Sequence, residues 1–451
     1  MTARAPFAAL RRHVAARVSP QARCARAVAL LAAGQAVKAA ALFGRLAQSG
    51  HAEAQFRLAR AYLDGTGVPR RVDEAARWMR RAAEGGWTEA RFMLATLYLR
   101  GLPPDDDAPA LPWAARAPAP PAAPDPRRAL HWAHLAAQAG SADAQALVAH
   151  ILADGPPDLR DPDAAPEWYR RAAAGGSAQG QLGWGLALLR AARDERDRAE
   201  AARMVRQAAD QGMGSAFYVL GTLAERGEDA EPDPIRAAAL YHQAAERNVP
   251  TAQFRYGLAC LHGRGVARDV ARAETWLRRA ALAGETDAAA LVGDLNAGHA
   301  GMAPNPVEAA AWYRRAAEAG HAGAACALGQ MFLSGAGGVP DRAQATHWFQ
   351  RAAASGHAQA MFCLGLLHDQ AGDGPDDRRR ALDLFRGAAE RGFAPSQCML
   401  GRYLARGLAG AADPAEARLW LHKAEQQGER QASVELSWLD RTESELMGAG
   451  G

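Results

Sequence analysis

The sequence predicts an all-α fold, an α/α right-handed superhelical solenoid of about ten 36-residue helix pairs with terminal capping helices. Three periodic features predict it. A helix-ending glycine stands at Gly50, Gly86, Gly140, Gly176, Gly212, Gly284, Gly320, Gly356, Gly392 and Gly428, spaced by 36 apart from one longer gap and one replacement by Asn248. Eight residues before each later terminus stands a large apolar residue: Trp78, Trp132, Trp168, Met204, Leu240, Trp276, Trp312, Trp348, Leu384 and Trp420. Further upstream sits a Leu-Gly or Leu-Ala pair, as in Leu58-Ala59, Leu94-Ala95, Leu220-Gly221, Leu328-Gly329, Leu364-Gly365 and Leu400-Gly401. A fixed period of 20 to 50 residues marks stacked units, none of which buries its apolar face alone. An array of this kind grows linearly, so the chain is expected to form one continuous body.

In chain order, residues 1–20 read as a basic N-terminal arm and 21–50 as a degenerate capping helix pair broken at Gly34. Ten units then fill 51–428. In each, helix A carries the Leu-Gly or Leu-Ala pair, whose small residue admits a close neighbour. Helix B carries the large residue and an Arg-rich, Ala-Ala run, as in Trp312-Tyr313-Arg314-Arg315-Ala316-Ala317. Its closing glycine suits a left-handed C′ position. The second unit is longer because of a Pro-rich insert at 103–125, where proline density forbids helix. In the fourth unit Ala191 to Arg196 replace the inter-helix glycines, which predicts a partly helical connection. Residues 429–447 read as a closing helix with an apolar inner side.

Residues 52 to 86 carry Ala52, Ala54, Gln55, Leu58, Tyr62, Gly65, Gly67, Val68, Pro69, Ala75, Trp78, Ala82, Ala83 and Gly86, and the Gly-x-Gly-Val loop returns at Gly263 to Val266 and, expanded, at Gly335 to Pro340. This pattern resembles the Sel1-like repeat, a relative of the tetratricopeptide repeat with a longer loop between its helices. The resemblance implies a protein-interaction adaptor of the kind that helps assemble envelope, secretion or signalling complexes. The Ala, Arg and Gly bias resembles that of a bacterial chain. A secreted subgroup of the family is stapled by one disulfide per repeat, and some of its members bind or cleave β-lactams. Here Cys24, Cys260, Cys326, Cys363 and Cys398 do not pair within units, so reduced core thiols in a cytoplasmic setting are expected. The alternatives are a secreted hydrolase of the β-lactam-binding type, and a regulatory protein in the periplasm or envelope.

A net charge of +4 over 451 residues is too mild to imply nucleic acid. The repeated arginine pairs (Arg80-Arg81, Arg170-Arg171, Arg278-Arg279, Arg314-Arg315) lie near glutamates and read as a solvated helix face. Arginines at 11, 12, 17, 23 and 26 interrupt the apolar core that a secretory leader needs, and no apolar run approaches the ~18 residues of a transmembrane segment. No catalytic, phosphate-binding or metal motif is found, so no enzyme and no cofactor is expected. His131 and His134 are one turn apart without a third ligand. His51, His321 and His357 follow repeat-ending glycines and read as helix caps. The periodic tryptophans read as core.

What remains for function is the side of helix A opposite its Leu-Gly anchor, expected to line the concave surface. Counting from the residue after each terminal glycine, positions 3, 7, 10 and 14 face that way and include Glu53, Arg57, Arg60 and Asp64 in the first unit. A protein or peptide partner with acidic and apolar side chains is expected at Arg100, Leu186, Arg190, Val219, Arg226, Arg255, Leu258, His262 and Arg406. Trp113, in the insert, has no repeat to serve and is a candidate docking residue.

Overall fold

The structure, a computed structural model, describes residues 19–101, 123–227, 231–371 and 374–448. Among them the regular elements are α-helices and one short 3-10 turn, His299–Gly301. The chain forms two compact units, residues 1–232 and 233–451.

In the first unit, Pro20–Ala32 and Ala36–Gln48 precede four complete A/B pairs. These are Ala52–Asp64 with Val72–Glu84, Thr88–Arg100 with Pro126–Gln138, Ala142–Asp154 with Ala165–Ala174, and Ala178–Ala191 with Glu195–Asp210, followed by helix A of the fifth repeat, Gly214–Arg226. The second unit opens on Pro234–Glu246. Its pairs are Pro250–His262 with Val270–Leu282, Thr286–Asn296 with Pro306–Glu318, Ala322–Ser334 with Arg342–Ala354, Ala358–Ala371 with Pro375–Glu390, and Ala394–Arg406 with Pro414–Gln426, and Arg430–Gly448 closes it. Within each unit every helix packs on the next in sequence. In the fourth repeat helix A runs to Ala191 and helix B begins at Glu195, so of residues 191–196 only 192–194 lie outside the helices and the connection is partly helical as expected.

Local chemistry fixes the helix ends. In five repeats helix A is capped by a side chain at its first position: Nδ1 of His51, His321 and His357 accepts from the N–H of Ala54, Ala324 and Ala360 at 3.3, 2.9 and 3.3 Å, and the Oγ of Ser141 and Ser177 does the same. Helix B is capped by Asp125, Asp233, Asp269, Asn305, Asp341 and Asp413. Asn248, which replaces the terminal glycine, adopts φ 57, the same left-handed conformation.

The deepest core position is the residue after the periodic tryptophan. Met79, Leu277, Phe349, Phe385 and Leu421 are 0% exposed, and Tyr313 is buried too. Each points at the small residue of helix A in its own repeat. A Cβ on Gly257, Gly329, Gly365 or Gly401 would come within 2.8, 2.8, 2.6 or 2.5 Å of Leu277, Phe349, Phe385 or Leu421. The tryptophans read as core sit further out. Trp78, Trp276 and Trp348 are buried, but Trp132, Trp168, Trp312 and Trp420 are half-buried. The arginine pairs, read as solvated, are partly engaged with these rings. Three residues on, Arg81, Arg171, Arg279 and Arg351 lie 5.0, 5.3, 4.6 and 5.2 Å from the ring centres of Trp78, Trp168, Trp276 and Trp348.

Adjacent repeats are tied by a second recurring element. The amides of Gln55, Gln145, Gln253 and Gln397 on helix A donate to the carbonyls of Ala47, Ala137, Ala245 and Ala389 at the end of the preceding helix B, at 3.1 to 3.3 Å. Each of these carbonyls, in the last turn of its helix, also accepts the N–H of the residue three further on, so the amide takes up its second lone pair. The loop glycines serve the same junction. Gly67, at φ 77, lies so close to the preceding helix that a Cβ would stand 2.3 Å from the Ala36 carbonyl oxygen, and at Gly265 the distance to the Pro234 oxygen would be 1.9 Å.

Two tests follow from this packing. Phe385→Ala empties a fully buried site and is expected to cost about 3–5 kcal/mol in urea unfolding, whereas Trp312→Ala, at the half-buried rim, costs clearly less. Equal losses would refute the assignment of core and rim. The second concerns pH. Burial, and secondarily the neighbouring His321, lowers the proton affinity of His357. Its Nδ1 can cap Ala360 only when unprotonated. A group with a depressed folded pKa stabilises fully above its unfolded value, about 6.5, and loses that contribution as the pH falls below it towards the folded value. His357→Ser keeps an oxygen cap without the titration, so its melting temperature is expected to fall less between pH 7 and 5 than that of the parent. An unchanged pH slope would show that the imidazole cap contributes nothing.

Candidate partner-binding face

The caps and the Gln-to-carbonyl bonds hold each helix A at a fixed level against its predecessor, and its outward side chains are then free of packing duty. In the first unit, Arg100, Arg190 and Arg226 stand exposed in the last turn of their helices, while Leu186 and Val219 are half-buried one turn or more earlier. The same register places Asp64 and Asp154, both exposed, in the first and third repeats, so cations and carboxylates share one position. Arg190 and Asp154 both act on Tyr169, whose hydroxyl burial pushes up to about 12, the carboxylate raising it and the guanidinium lowering it.

The first unit also holds a cavity of about 130 Å³ between the N-terminal helix pair and helix A of the first repeat. Leu31, Ala39 and Phe43 form its apolar wall, and Arg57, Arg60 and Asp64 its charged rim. Arg57 is bonded to Glu53 at 2.8 Å, and Arg60 lies 3.9 Å from Asp64. Three outward positions read from the sequence thus gather at one hollow. The hollow itself was not legible, because its apolar wall is put together from both helices of the degenerate first pair.

In the second unit, Arg255 and His262 are exposed and Leu258 is half-buried. Arg406 is placed otherwise. Its guanidinium bonds Glu435 at 2.7 Å and lies 4.7 Å from the ring centre of Trp438, so the closing helix takes it up. Trp113 lies outside the described residues. His131 and His134 pack edge-on against Trp132 and Trp168 at 5.4 and 5.3 Å. Among the described residues no three His, Cys, Asp or Glu side chains converge as a metal site, and no helix is long and apolar enough to cross a membrane.

Tandem helix pairs in register, capped at both ends, define an α-helical solenoid repeat protein. A sequence profile of the Sel1 repeat matches residues 52–87, 88–117, 120–141, 142–177, 178–213, 215–249, 250–285, 286–321, 322–357, 358–393 and 394–429, and the chain belongs to the Sel1 repeat family. Two of these eleven segments, 88–117 and 120–141, each carry one helix of the second pair, on either side of the insert. Among solved structures, the chain is similar to a protective antigen of uropathogenic Escherichia coli displaying an SLR fold (27% identity over 88% of this chain and 81% of that one, TM-score 0.65). It is also similar to a Sel1 repeat protein from Oxalobacter formigenes (30% identity, 72% of this chain and 89% of that one, TM-score 0.48). No curated protein matches the chain. Sel1 repeat proteins are generally protein-interaction scaffolds and typically non-catalytic.

The insert can be tested directly. The Asp125 N–H donates to the Tyr98 carbonyl at 2.9 Å, as the Arg71 N–H donates to Tyr62 in the first repeat, so the two helices meet in the usual register whatever lies between them. Replacing 103–122 by a short Gly-Ser loop is expected to leave the melting temperature unchanged by calorimetry. A steep drop would mean that the segment contributes to the core.

Proposed function

We propose that the chain is a non-enzymatic scaffold that takes an extended acidic and apolar segment of a partner protein along the outward face of helix A. The observation that carries this reading is the pairing, in consecutive repeats of the first unit, of exposed Arg190 and Arg226 with half-buried Leu186 and Val219. Guanidinium groups offer fixed forks of donors to carboxylates, and the neighbouring apolar surface rewards a side chain laid between them. The family's general role as interaction scaffolds supports the class of function. A role in envelope, secretion or signalling assemblies and a cytoplasmic location are part of the same proposal.

The test uses the full chain, immobilised, to select from a displayed peptide library. Enriched peptides are expected to combine Asp or Glu with Leu, Ile or Phe, and Arg190→Glu with Arg226→Glu is expected to abolish the enrichment while helix content and melting stay intact. Reversing Arg198 and Arg203, exposed on helix B of the fourth repeat, is the control. Equal loss from both pairs would reduce the effect to nonspecific charge, and no loss from the first would move the site off this face.

A further inference from the structure

The hollow at the start of the first unit sits beside an unusually short connection. Helices Pro20–Ala32 and Ala36–Gln48 are joined by residues 33–35 alone, whereas the first full repeat spends residues 65–71 between its two helices. So brief a link leaves the helix ends on either side of it uncovered: Leu31 is 38% exposed and Val37 70%. Ala36, Ala39, Ala40, Phe43 and Ala61 line the hollow together with Leu31. Its volume of about 130 Å³ is close to the roughly 150 Å³ that holds one benzene ring in a protein interior, the size of a single leucine or phenylalanine side chain.

The charges at its mouth are unequal in their engagement. Arg57 is bonded to Glu53 at 2.8 Å, but Arg60 approaches Asp64 only to 3.9 Å, beyond hydrogen-bond length, with both side chains more than half exposed. Arg60 can therefore turn its fork of donors to another carboxylate. The field favours one. The three helices around the hollow carry Arg23, Arg26, Lys38, Arg45, Arg57 and Arg60 against Glu53 and Asp64, an excess of four positive charges and equal to the net charge of the whole chain. An anionic ligand is drawn to this end of the first unit. Asp64 also stands at the repeat position of Arg190 and Arg226, so the mouth lies on the outward face of helix A.

On the reading that the partner is an acidic and apolar segment, we infer that this hollow is its anchor site. One Leu or Phe side chain of the segment enters against Leu31 and Phe43, and a carboxylate next to it in the segment is held by Arg60. The anchor lies three repeats before Arg190, about nine residues along an extended segment that passes three residues per repeat.

The test uses the full chain and the peptide Gly-Ser-Glu-Leu-Glu-Ser-Gly with a photoreactive diazirine analogue in place of leucine, too short to reach Arg190 from the hollow. Irradiation is expected to cross-link residues 31–43 or 57–66, read by peptide mass mapping. The unlabelled peptide is expected to compete, and versions with glycine for the leucine or glutamine for both glutamates to compete at least about tenfold more weakly. Arg60→Glu is expected to lower the yield at least about fivefold, and Arg190→Glu with Arg226→Glu to leave it unchanged. No cross-link, cross-links only on other helices, or equal competition by the glycine version would overturn the anchor site and leave the outward face of the later repeats to the library selection. Failure of that selection with the cross-link at the hollow intact would instead refute the extended face and keep the hollow. The cross-link map and the competition need only the parent chain, so a variant that fails to fold does not remove the test.

Discussion

The contact between a helix A glycine and the helix B residue beside the tryptophan sets the geometry of this chain. Where a Cβ would stand 2.5 to 2.8 Å from the partner side chain, only glycine lets Leu277, Phe349, Phe385 or Leu421 seat fully. The seated side chain then fixes how closely the two helices approach and how they are rotated. Repeats with alanine at the same place carry other residues beside the tryptophan: Ala59 shares a buried cluster with Met79, and Ala95 shares one with the small Ala133. Neither residue identity nor volume is fixed at this contact, so each repeat packs its own pair closely. The caps, loop glycines and stacked arginines all presuppose this spacing.

Helix pairs spaced in this way still have to be joined, and the joints are polar. A glutamine amide on helix A satisfies a carbonyl at the end of the preceding helix B, and a loop glycine lets the connection lie against a neighbouring helix end. Each joint is local, so stability is the sum of many short-range contributions and not the property of one core.

The periodicity made helix number, pairing, the histidine caps of helix A and the left-handed terminal positions legible, because each is a local demand of one residue type. It misled at the tryptophans. Trp312 and Trp420 recur in register and look like the core, yet they are half-buried and the side chains after them, Tyr313 and Leu421, are the buried ones. That position varies between Met, Leu, Tyr and Phe to fit its glycine or alanine, and variation hid it. The arginines over the rings were missed for a related reason: a cation three residues from an aromatic can be solvated on one side and stacked on the other. The fate of Arg406 depended on the closing helix, which obeys no repeat register.

The outward positions of helix A carry what the packing leaves undetermined, and in the first unit they mix both charges: Asp64, Arg100, Asp154, Arg190, Arg226. Helices in contact lie about 8–10 Å apart, and an extended chain advances about 3.3 Å per residue, so a segment laid across them passes about three residues per repeat. A segment shifted by one repeat would set its carboxylates against Asp154 instead of Arg190. Like charges brought together on a partly apolar surface cost more than a missing attraction, so the aspartates discriminate as much as the arginines attract. On this reading the acidic interruptions, which look like defects in a basic row, set the register in which the partner binds.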